Sequence, residues 1–522
     1  MESIKDYKQV KVDFNPEVPP LKKVRDKTKI NVRYAVIAPF AFIHIAWDPK
    51  EYEVIYHIEE PELDDAEKKY WEQILPAMRD MIDFNTIVEK ETEKLLEYID
   101  KRFKIIAFEL GLKFSYETYK KIYYYLVRDF VGFNEIEPLL RDFFVEDIEC
   151  NGSGNPVYIV HRIFRNLKTS LTFKDNDRLE SFVEKLAQRS GKYISYASPI
   201  LDATLPDGSR VNATYTKDIT SRGPTFTIRK FTKTPWTPSQ LLAFRTLSPE
   251  MLSYLWLLVQ YKMNLLITGG TSSGKTTLLN AIAFFIPPEA RVVSIEDTRE
   301  LNLPRENWLP SVAREATGAG NIGEIDLFTL LKGSFRQNPD YVIVGEVRGK
   351  EAYVLFQGMA SGHSSISTMH ADSVDTVIKR LETPPIELSP TLLNVLDCVC
   401  IMTHAIAKKQ ETRKLKEIVE IINVTPEGIA LTNTPFIWNP ADDGFYFKKT
   451  SKIFEKISRR YGMDMSELES EFRVRVKLLY ALYRDKVFDF QEFQDTITQY
   501  YKKPKEVLAK YGVPQEATQM AA

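Results

Sequence analysis

Between residues 64 and 108 apolar side chains recur at three- and four-residue steps. Leu95, Ile99, Phe103 and Ile106 fall on one face, which predicts helix. The segment before it reads differently. An apolar run at 34–47, a turn at Asp48-Pro49 and the partly alternating EYEVIYHI predict strands, closed by Pro61. Ser115 can cap a second helix, in which Tyr119, Ile122, Leu126 and Phe130 recur before Gly132. From 139 to 231 the texture is α/β. Residues 157–160 and 171–173 read as strands, 177–190 as a helix closed by Gly191, and Asp207-Gly208 as a hairpin turn.

The tract TKTPWTPS (232–239) has two prolines and no periodicity and reads as a linker. Strand and helix character then alternate to about residue 436, the pattern of a sheet with crossover helices. The tail is helical at 452–460 and 467–483, with Ile453, Ile457, Leu468, Phe472, Val476, Leu479 and Leu482 expected inward. At the other end, residues 15–29 carry three prolines followed by five basic residues, which predicts a flexible arm. The expected organisation is an arm at 1–30, a strand and helical region at 31–114, an α/β domain at 115–231, a linker at 232–236, a second α/β domain at 237–436 and a mostly helical subdomain at 437–522.

The 522 residues suffice for several cores, and 70 Lys plus Arg against 72 Asp plus Glu give a formal charge of −2. That balance lends no support to a general nucleic-acid binder. Three cysteines exclude a disulfide-built scaffold and favour a reducing compartment. The 34–47 run, 14 residues long and holding Pro39 and His44, falls short of the roughly 20 that a membrane span needs. A cytoplasmic protein is expected, its membrane contact made through its surface or a partner.

The strongest chemical signal is NLLITGGTSSGKTTLLNAIAFFI (264–286), where G-x-x-x-x-G-K-T spans Gly269, Gly270, Thr271, Ser272, Ser273, Gly274, Lys275 and Thr276 between an apolar run and a helical one that begins at Thr277. Glycines let successive backbone N–H groups converge on one oxyanion cluster, and the helix N-terminus adds favourable potential. Lys275 is expected on the β- and γ-phosphates of a nucleotide and the Thr276 hydroxyl on Mg²⁺, a cradle that does not by itself separate a kinase, a GTPase, an ATP motor and a nucleotide-gated scaffold. Residues 292–295 read as a strand ending in Glu296 and Asp297, with Glu300 beyond. YVIVGEVRG (341–349) is an apolar strand ending in Gly345 and Glu346, followed by Arg348, 71 residues from Lys275 to Glu346. Carboxylates at strand ends beside a phosphate loop can hold water and the Mg²⁺ shell. The cluster GMASGHSSISTMHADS (358–373) holds His363 and His370, seven apart, and Cys398 and Cys400 are the nearest thiols. That set is a poor zinc site, and no zinc is expected.

Together, Gly269 to Thr276, Glu296-Asp297 to Glu300, Asn338-Pro339-Asp340 followed by Gly345-Glu346 and Arg348, and Gly362-His363 followed by Ser367-Thr368-Met369-His370-Ala371 resemble the four ordered boxes of the secretion-superfamily ATPases. These serve type II and type IV secretion, type IV pili and the archaellum. The segments YAVIAPFAFIHIAWD and VEDIECNGSGNPVYIVH look like the archaeal branch. The resemblance implies an N-terminal α/β domain, a C-terminal RecA-like P-loop ATPase domain and a helical C-terminal tail. It also implies a hexameric ring on the cytoplasmic face of the membrane, under an integral membrane platform protein. Carried over by position, Glu296 and Glu346 activate or position water and His370 sits near the γ-phosphate. Arg210, Arg222 and Arg229 complete the nucleotide site, and Asp297, Glu300, Arg348 and His363 stand around it. The function expected is an Mg²⁺-dependent ATPase driving assembly of pilus-like filaments or export of their subunits. The alternatives are a DNA-translocating hexamer, which the charge does not favour, and a nucleotide-gated scaffold. Which system is served, which glutamate is the base, and assembly against retraction stay open.

Overall fold

The computed structural model describes residues 4, 7–19, 21, 24, 26–82, 92–231, 234–314, 323–407, 410–448 and 450–514. The chain divides into two units, Met1–Phe231 and Thr232–Ala522. Of the expected linker 232–236, residues 232 and 233 lie outside the described residues.

The first unit is built on one nine-stranded sheet: β1 (Asn31–Ile37), β2 (Ala41–Asp48), β3 (Glu53–Glu59), β4 (Val145–Cys150), β5 (Pro156–His161), β6 (Arg165–Thr172), β7 (Ile200–Thr204), β8 (Arg210–Thr214) and β9 (Thr225–Arg229). Their order is β1-β2-β3-β6-β5-β4-β9-β8-β7, so strands from the 31–114 and 115–231 segments share it. The helices Asp65–Met81, Thr92–Glu109, Tyr116–Leu126 and Asn176–Arg189 contribute Ile99, Phe103, Tyr119, Ile122 and Phe182 to the core of this unit. Ser115 caps the third of them through the Thr118 N–H. The 1–30 segment, expected as a flexible arm, is docked instead at many of its described residues. Asp13 exchanges backbone hydrogen bonds with Ala38, Ile4 and Val12 are buried, and the Tyr7 hydroxyl donates to the Phe114 carbonyl at 2.9 Å. A few apolar anchors suffice for this, and a composition dominated by prolines and lysines hides them.

In the second unit the strands are β10 (Leu265–Gly269), β11 (Val292–Glu296), β12 (Trp308–Val312), β13 (Tyr341–Val344), β14 (Ser364–Met369), β15 (Cys398–Ala407), β16 (Gln410–Val424), β17 (Ala430–Asn439) and β18 (Gly444–Phe447), in the order β12-β11-β13-β14-β10-β15-β16-β17-β18. The first six in that order run parallel, and β10, β11, β13 and β14 are buried on both faces, as their unbroken apolar or small-residue character requires. The last three are antiparallel hairpin strands, not strands joined by crossover helices as the alternation to 436 suggests. In β16 the residues Leu415, Ile418, Val419 and Ile421 stand at three- and four-residue steps among charges, so a helical period disguises a strand.

The tail does not form a separate body. Its helices Lys452–Tyr461, Met465–Arg484 and Phe490–Lys502 pack on the core of the sheet through Ile457, Leu468, Leu479, Leu482 and Phe493. Between tail and sheet lies the helix Pro249–Gln260, buried from Met251 to Val259 because it is apolar all round. Its Trp256 stacks on Phe285 at 4.8 Å and donates to the Tyr501 hydroxyl at 2.9 Å.

Candidate functional site

In open α/β sheets ligands bind at the carboxyl ends of the parallel strands, where side chains from distant sequence segments converge. Register places Thr268 beside Met369, Ile295 beside Val344 and Val344 beside Ser367. Gly269, Glu296, Glu346 and His370 therefore emerge at one edge.

After β10 the chain turns tightly into the helix Lys275–Ala283. Gly269 has φ +152°, and a Cβ there would lie 2.4 Å from the Met402 carbonyl oxygen and 2.5 Å from Ser273 Oγ. Only glycine fits. Gly274, at φ +96°, stands at the helix N-terminus. Thr271 and Ser272 are exposed, Thr276 and Thr277 partly so, and Ser273 Oγ donates to the Gly270 carbonyl at 2.8 Å. The buried Lys275 ammonium donates to the carbonyls of Gly269 at 3.1 Å and Gly270 at 2.9 Å. Burial pulls its pKa below the ordinary value, against the attraction of Glu346.

Glu296 is 1% exposed. Its Oε1 accepts from the backbone N–H groups of Glu300 and Leu301, both at 2.8 Å, and Oε2 has no hydrogen-bond partner among the described residues. Burial raises its pKa to about 7, opposed by the two backbone donors. Glu346 follows Gly345, whose missing Cβ would stand 3.2 Å from Glu296 Cγ. The glycine thus makes room for the neighbouring carboxylate. The turn is braced by the Thr368 hydroxyl donating to the Gly345 carbonyl and by Val347 N–H donating to the Thr368 carbonyl. Glu346 Oε2 accepts from Arg348, and Oε1 lies 3.2 Å from His370 Nε2. Lys275 Nζ stands 3.4 Å from that same nitrogen. Burial, then the Lys275 charge, lower the His370 pKa, which keeps the imidazole neutral at pH 7. Asp297 is 3.8 Å from Arg348 Nη1, and the Glu300 carbonyl accepts from Asn280 on the phosphate-loop helix.

One expected site residue, His363, is not brought to this edge. His363 precedes β14 while His370 follows it, so His363 stands at the opposite end of the strand, roughly 20 Å away at 3.3 Å per residue. There it packs on Phe335 and its ring meets the Gly358 carbonyl. The arginines belong to the first unit. Arg210 and Arg229 are register partners across β8 and β9, the first bridging Asp202 at 2.9 Å and the second Asp147 at 3.2 Å, and exposed Arg222 lies in the turn before β9. Two further neighbours of the phosphate loop, Met402 and Arg413, carry no sequence signal, because strand pairing alone brings β15 and β16 to it.

The residues fit a magnesium nucleotide. The loop turns at Gly269, where only glycine fits, and beside it stand a buried ammonium held by two backbone carbonyls and a buried carboxylate oxygen with no hydrogen-bond partner among the described residues. No group of three or more His, Cys, Asp or Glu among the described residues is placed to hold a metal by itself. Mg²⁺ would then rest on the Thr276 hydroxyl, on phosphate oxygens and on water.

The Glu296 shift has a measurable consequence. The folded chain keeps this proton up to about pH 7, whereas an ordinary glutamate releases it near 4.5. Between those values the unfolded chain binds fewer protons, so this group's contribution to stability falls as pH rises from 4.5 to 7. Glu296→Gln is expected to raise the nucleotide-free melting temperature at pH 8, by up to about 3 kcal/mol in stability, and to lose most of that gain at pH 5. An equal effect at both pH values would contradict the buried-acid account.

Residues 131–421 match the family profile described as Type II/IV secretion system protein. An uncharacterized protein of Methanocaldococcus jannaschii is 35% identical over 503 residues, covering 92% of this chain and 90% of its own length. The type IV secretion system protein PtlH of Bordetella pertussis is 34% identical over 227 residues, 39% of this chain and 67% of PtlH. The crystal structure of the VirB11 ATPase from the Brucella suis type IV secretion system, in complex with sulphate, aligns at 25% identity with a TM-score of 0.29, covering 54% of this chain and 92% of that one.

Proposed function

Because this chain belongs to the type II/IV secretion system protein family, we propose that it is an Mg²⁺-dependent ATPase that drives assembly of archaeal pilus-like filaments, or export of their subunits, through a membrane platform protein. The observation that carries the reading is the convergence of the Gly269–Thr276 loop with Glu296, Glu346 and His370 at one sheet edge. The family places such ATPases in type II and type IV systems. Membership of that family and the resemblance to the archaeal branch support a ring, a platform partner and a place at the cytoplasmic membrane face. No described helix is long and apolar enough to cross a membrane.

In this reading the backbone N–H groups of 270–276 and the Lys275 ammonium bind the β- and γ-phosphates, exchanging the Gly269 and Gly270 carbonyls for stronger acceptors. Thr276 and water held by Glu296 and Glu346 would hold Mg²⁺, which would supply charge neutralisation at the phosphates. Glu346 orients the attacking water and takes its proton. Neutral His370, between Lys275 and Glu346, donates to or accepts from the groups around the γ-phosphate. Arg348 holds Glu346 in place and Asp297 holds Arg348. Loss of phosphate releases the clamp on Lys275, and the resulting motion is the work.

The test of this function is which macromolecule stimulates turnover. Anionic lipid vesicles, and above all vesicles carrying a membrane platform protein of such a system, are expected to raise the ATPase rate severalfold, and single- or double-stranded DNA is not. Stimulation by DNA alone would replace this reading with a nucleic-acid motor.

A further inference from the structure

Glu346 and His370 also line a cavity of about 380 Å³, none of whose lining residues belongs to the 269–276 loop. Its other walls are Arg348 after β13, Met369 at the end of β14, Arg380, and the segment 383–386 that follows the helix Val374–Glu382. The two guanidinium groups in this lining are not equivalent. Arg348 is paired with Glu346 and Asp297. Arg380 is exposed and makes no hydrogen bond or ion pair among the described residues. Its charge reaches His370, whose pKa is lowered by burial, then by Lys275, Arg348 and Arg380, against the pull of Glu346. Glu346 and Arg348 offset one another, so Arg380 leaves the lining with one surplus positive charge beside a neutral imidazole.

Hydrolysis of ATP cuts the bond from the γ-phosphorus to the oxygen it shares with the β-phosphate, and the oxygen of water completes inorganic phosphate. ADP stays on the loop, its β-phosphate held by Lys275 and by the N–H groups at the helix N-terminus. The new ion is thus closed in on the loop side by ADP, whose like charge repels it. On its other side stand Glu346 and His370, and beyond them the cavity has room for a phosphate with its waters. An unpaired guanidinium suits that ion, because its planar fork of donors matches phosphate oxygens and its charge is permanent.

We propose that this cavity is an exit site for inorganic phosphate, in which Arg380 holds the ion after it parts from ADP. The proposal rests on the phosphate-site reading above and adds to it a second anion site, separate from the loop. Phosphate there is bound together with ADP and does not take the place of ATP. Product release sets turnover in many enzymes, so occupancy of this cavity regulates the same site by prolonging the state that holds both products.

The experiment uses the full chain as wild type, Arg380→Gln, Arg380→Lys and Lys275→Ala, with nucleotide-free melting temperature and assembly state recorded for each. Mg-ATP hydrolysis is followed by ADP formation against added inorganic phosphate, with potassium chloride at matched ionic strength beside it. Binding of labelled phosphate to the Mg-ADP-loaded chain is measured in parallel. Phosphate is expected to inhibit wild type even at saturating ATP. Arg380→Gln is expected to raise the half-inhibiting phosphate concentration by roughly tenfold or more and to weaken phosphate binding to the ADP-loaded chain alike. Arg380→Lys, which keeps the charge without the fork, falls between. Inhibition that saturating ATP removes puts phosphate on the loop and overturns the proposal. So does a wild type insensitive to phosphate, equal inhibition by chloride, or wild-type phosphate sensitivity in a folded Arg380→Gln. A changed assembly state in Arg380→Gln also overturns it and makes Arg380 a contact between copies. If wild type hydrolyses no ATP, or Lys275→Ala hydrolyses like wild type, the phosphate-site reading itself fails and this inference falls with it. If Lys275→Ala is defective while Arg380→Gln is inhibited like wild type, only the inference fails.

Discussion

Glu346→Gln is expected to slow ATP hydrolysis by roughly 10²–10⁴ while leaving nucleotide affinity within a few-fold of wild type. The amide keeps the shape of the carboxylate and can still accept from Arg348, so the turn braced by Thr368 stays in place. What is lost is a negative group 3.2 Å from His370 Nε2 and close enough to Lys275 to act on its charge. A collapse of affinity instead would make Glu346 chiefly a metal-shell or structural group and not the base. The competing base is Glu296, which burial raises to about 7. If Glu296 abstracts the proton, the rate climbs with pH through 7, that limb disappears in Glu296→Gln, and Glu346→Gln stays near wild type. Measuring kcat against pH for both variants separates the two assignments, since only one can lose the chemical step while keeping binding.

The second large effect concerns the first unit. Arg210→Ala and Arg229→Ala are each expected to reduce turnover by up to roughly 10³, the low end of what an arginine supplied to a transferring phosphoryl group contributes elsewhere. The low end applies because three arginines share the task in the family that this chain resembles. The structure gives each a modest local role. Arg210 pairs with Asp202 and Arg229 with Asp147, both on the surface, and such pairs contribute about 0–1 kcal/mol to stability. The variants should therefore fold normally, and a loss of rate can be assigned to the site. Steady-state hydrolysis at saturating Mg-ATP, with assembly state followed in parallel, reads the outcome. Wild-type rates in Arg210→Ala, Arg229→Ala and Arg222→Ala would reduce these residues to surface ion pairing.

Much of the site was legible because its chemistry is local in sequence. The loop 269–276 lies between an apolar strand and a helix, and the strands before Glu296 and Glu346 are short, mostly apolar runs that gain their meaning from standing in order after a phosphate loop. His363 shows where that reasoning fails. A motif that spans a whole strand puts its two ends on opposite edges of the sheet, and spacing alone does not say which end faces the phosphates. Arg413 was invisible for the complementary reason. Its place depends on β15 pairing with β10 across more than a hundred residues, then on a hairpin whose charged, helix-period sequence conceals a strand. The docking of the N-terminal segment also depends on isolated contacts, Tyr7 on Phe114 and Asp13 on Ala38, which no periodicity announces.

The central claim is that nucleotide phosphates bind at the 269–276 loop and are hydrolysed there. Phosphate release from Mg-ATP by the intact chain, measured beside Lys275→Ala at equal protein concentration and equal melting temperature, tests it most directly. The account predicts sustained turnover by the wild-type chain and none above background in the variant, whose only loss is the buried ammonium now held by the Gly269 and Gly270 carbonyls. Turnover by Lys275→Ala at the wild-type rate, or a wild-type chain that releases no phosphate, would contradict it.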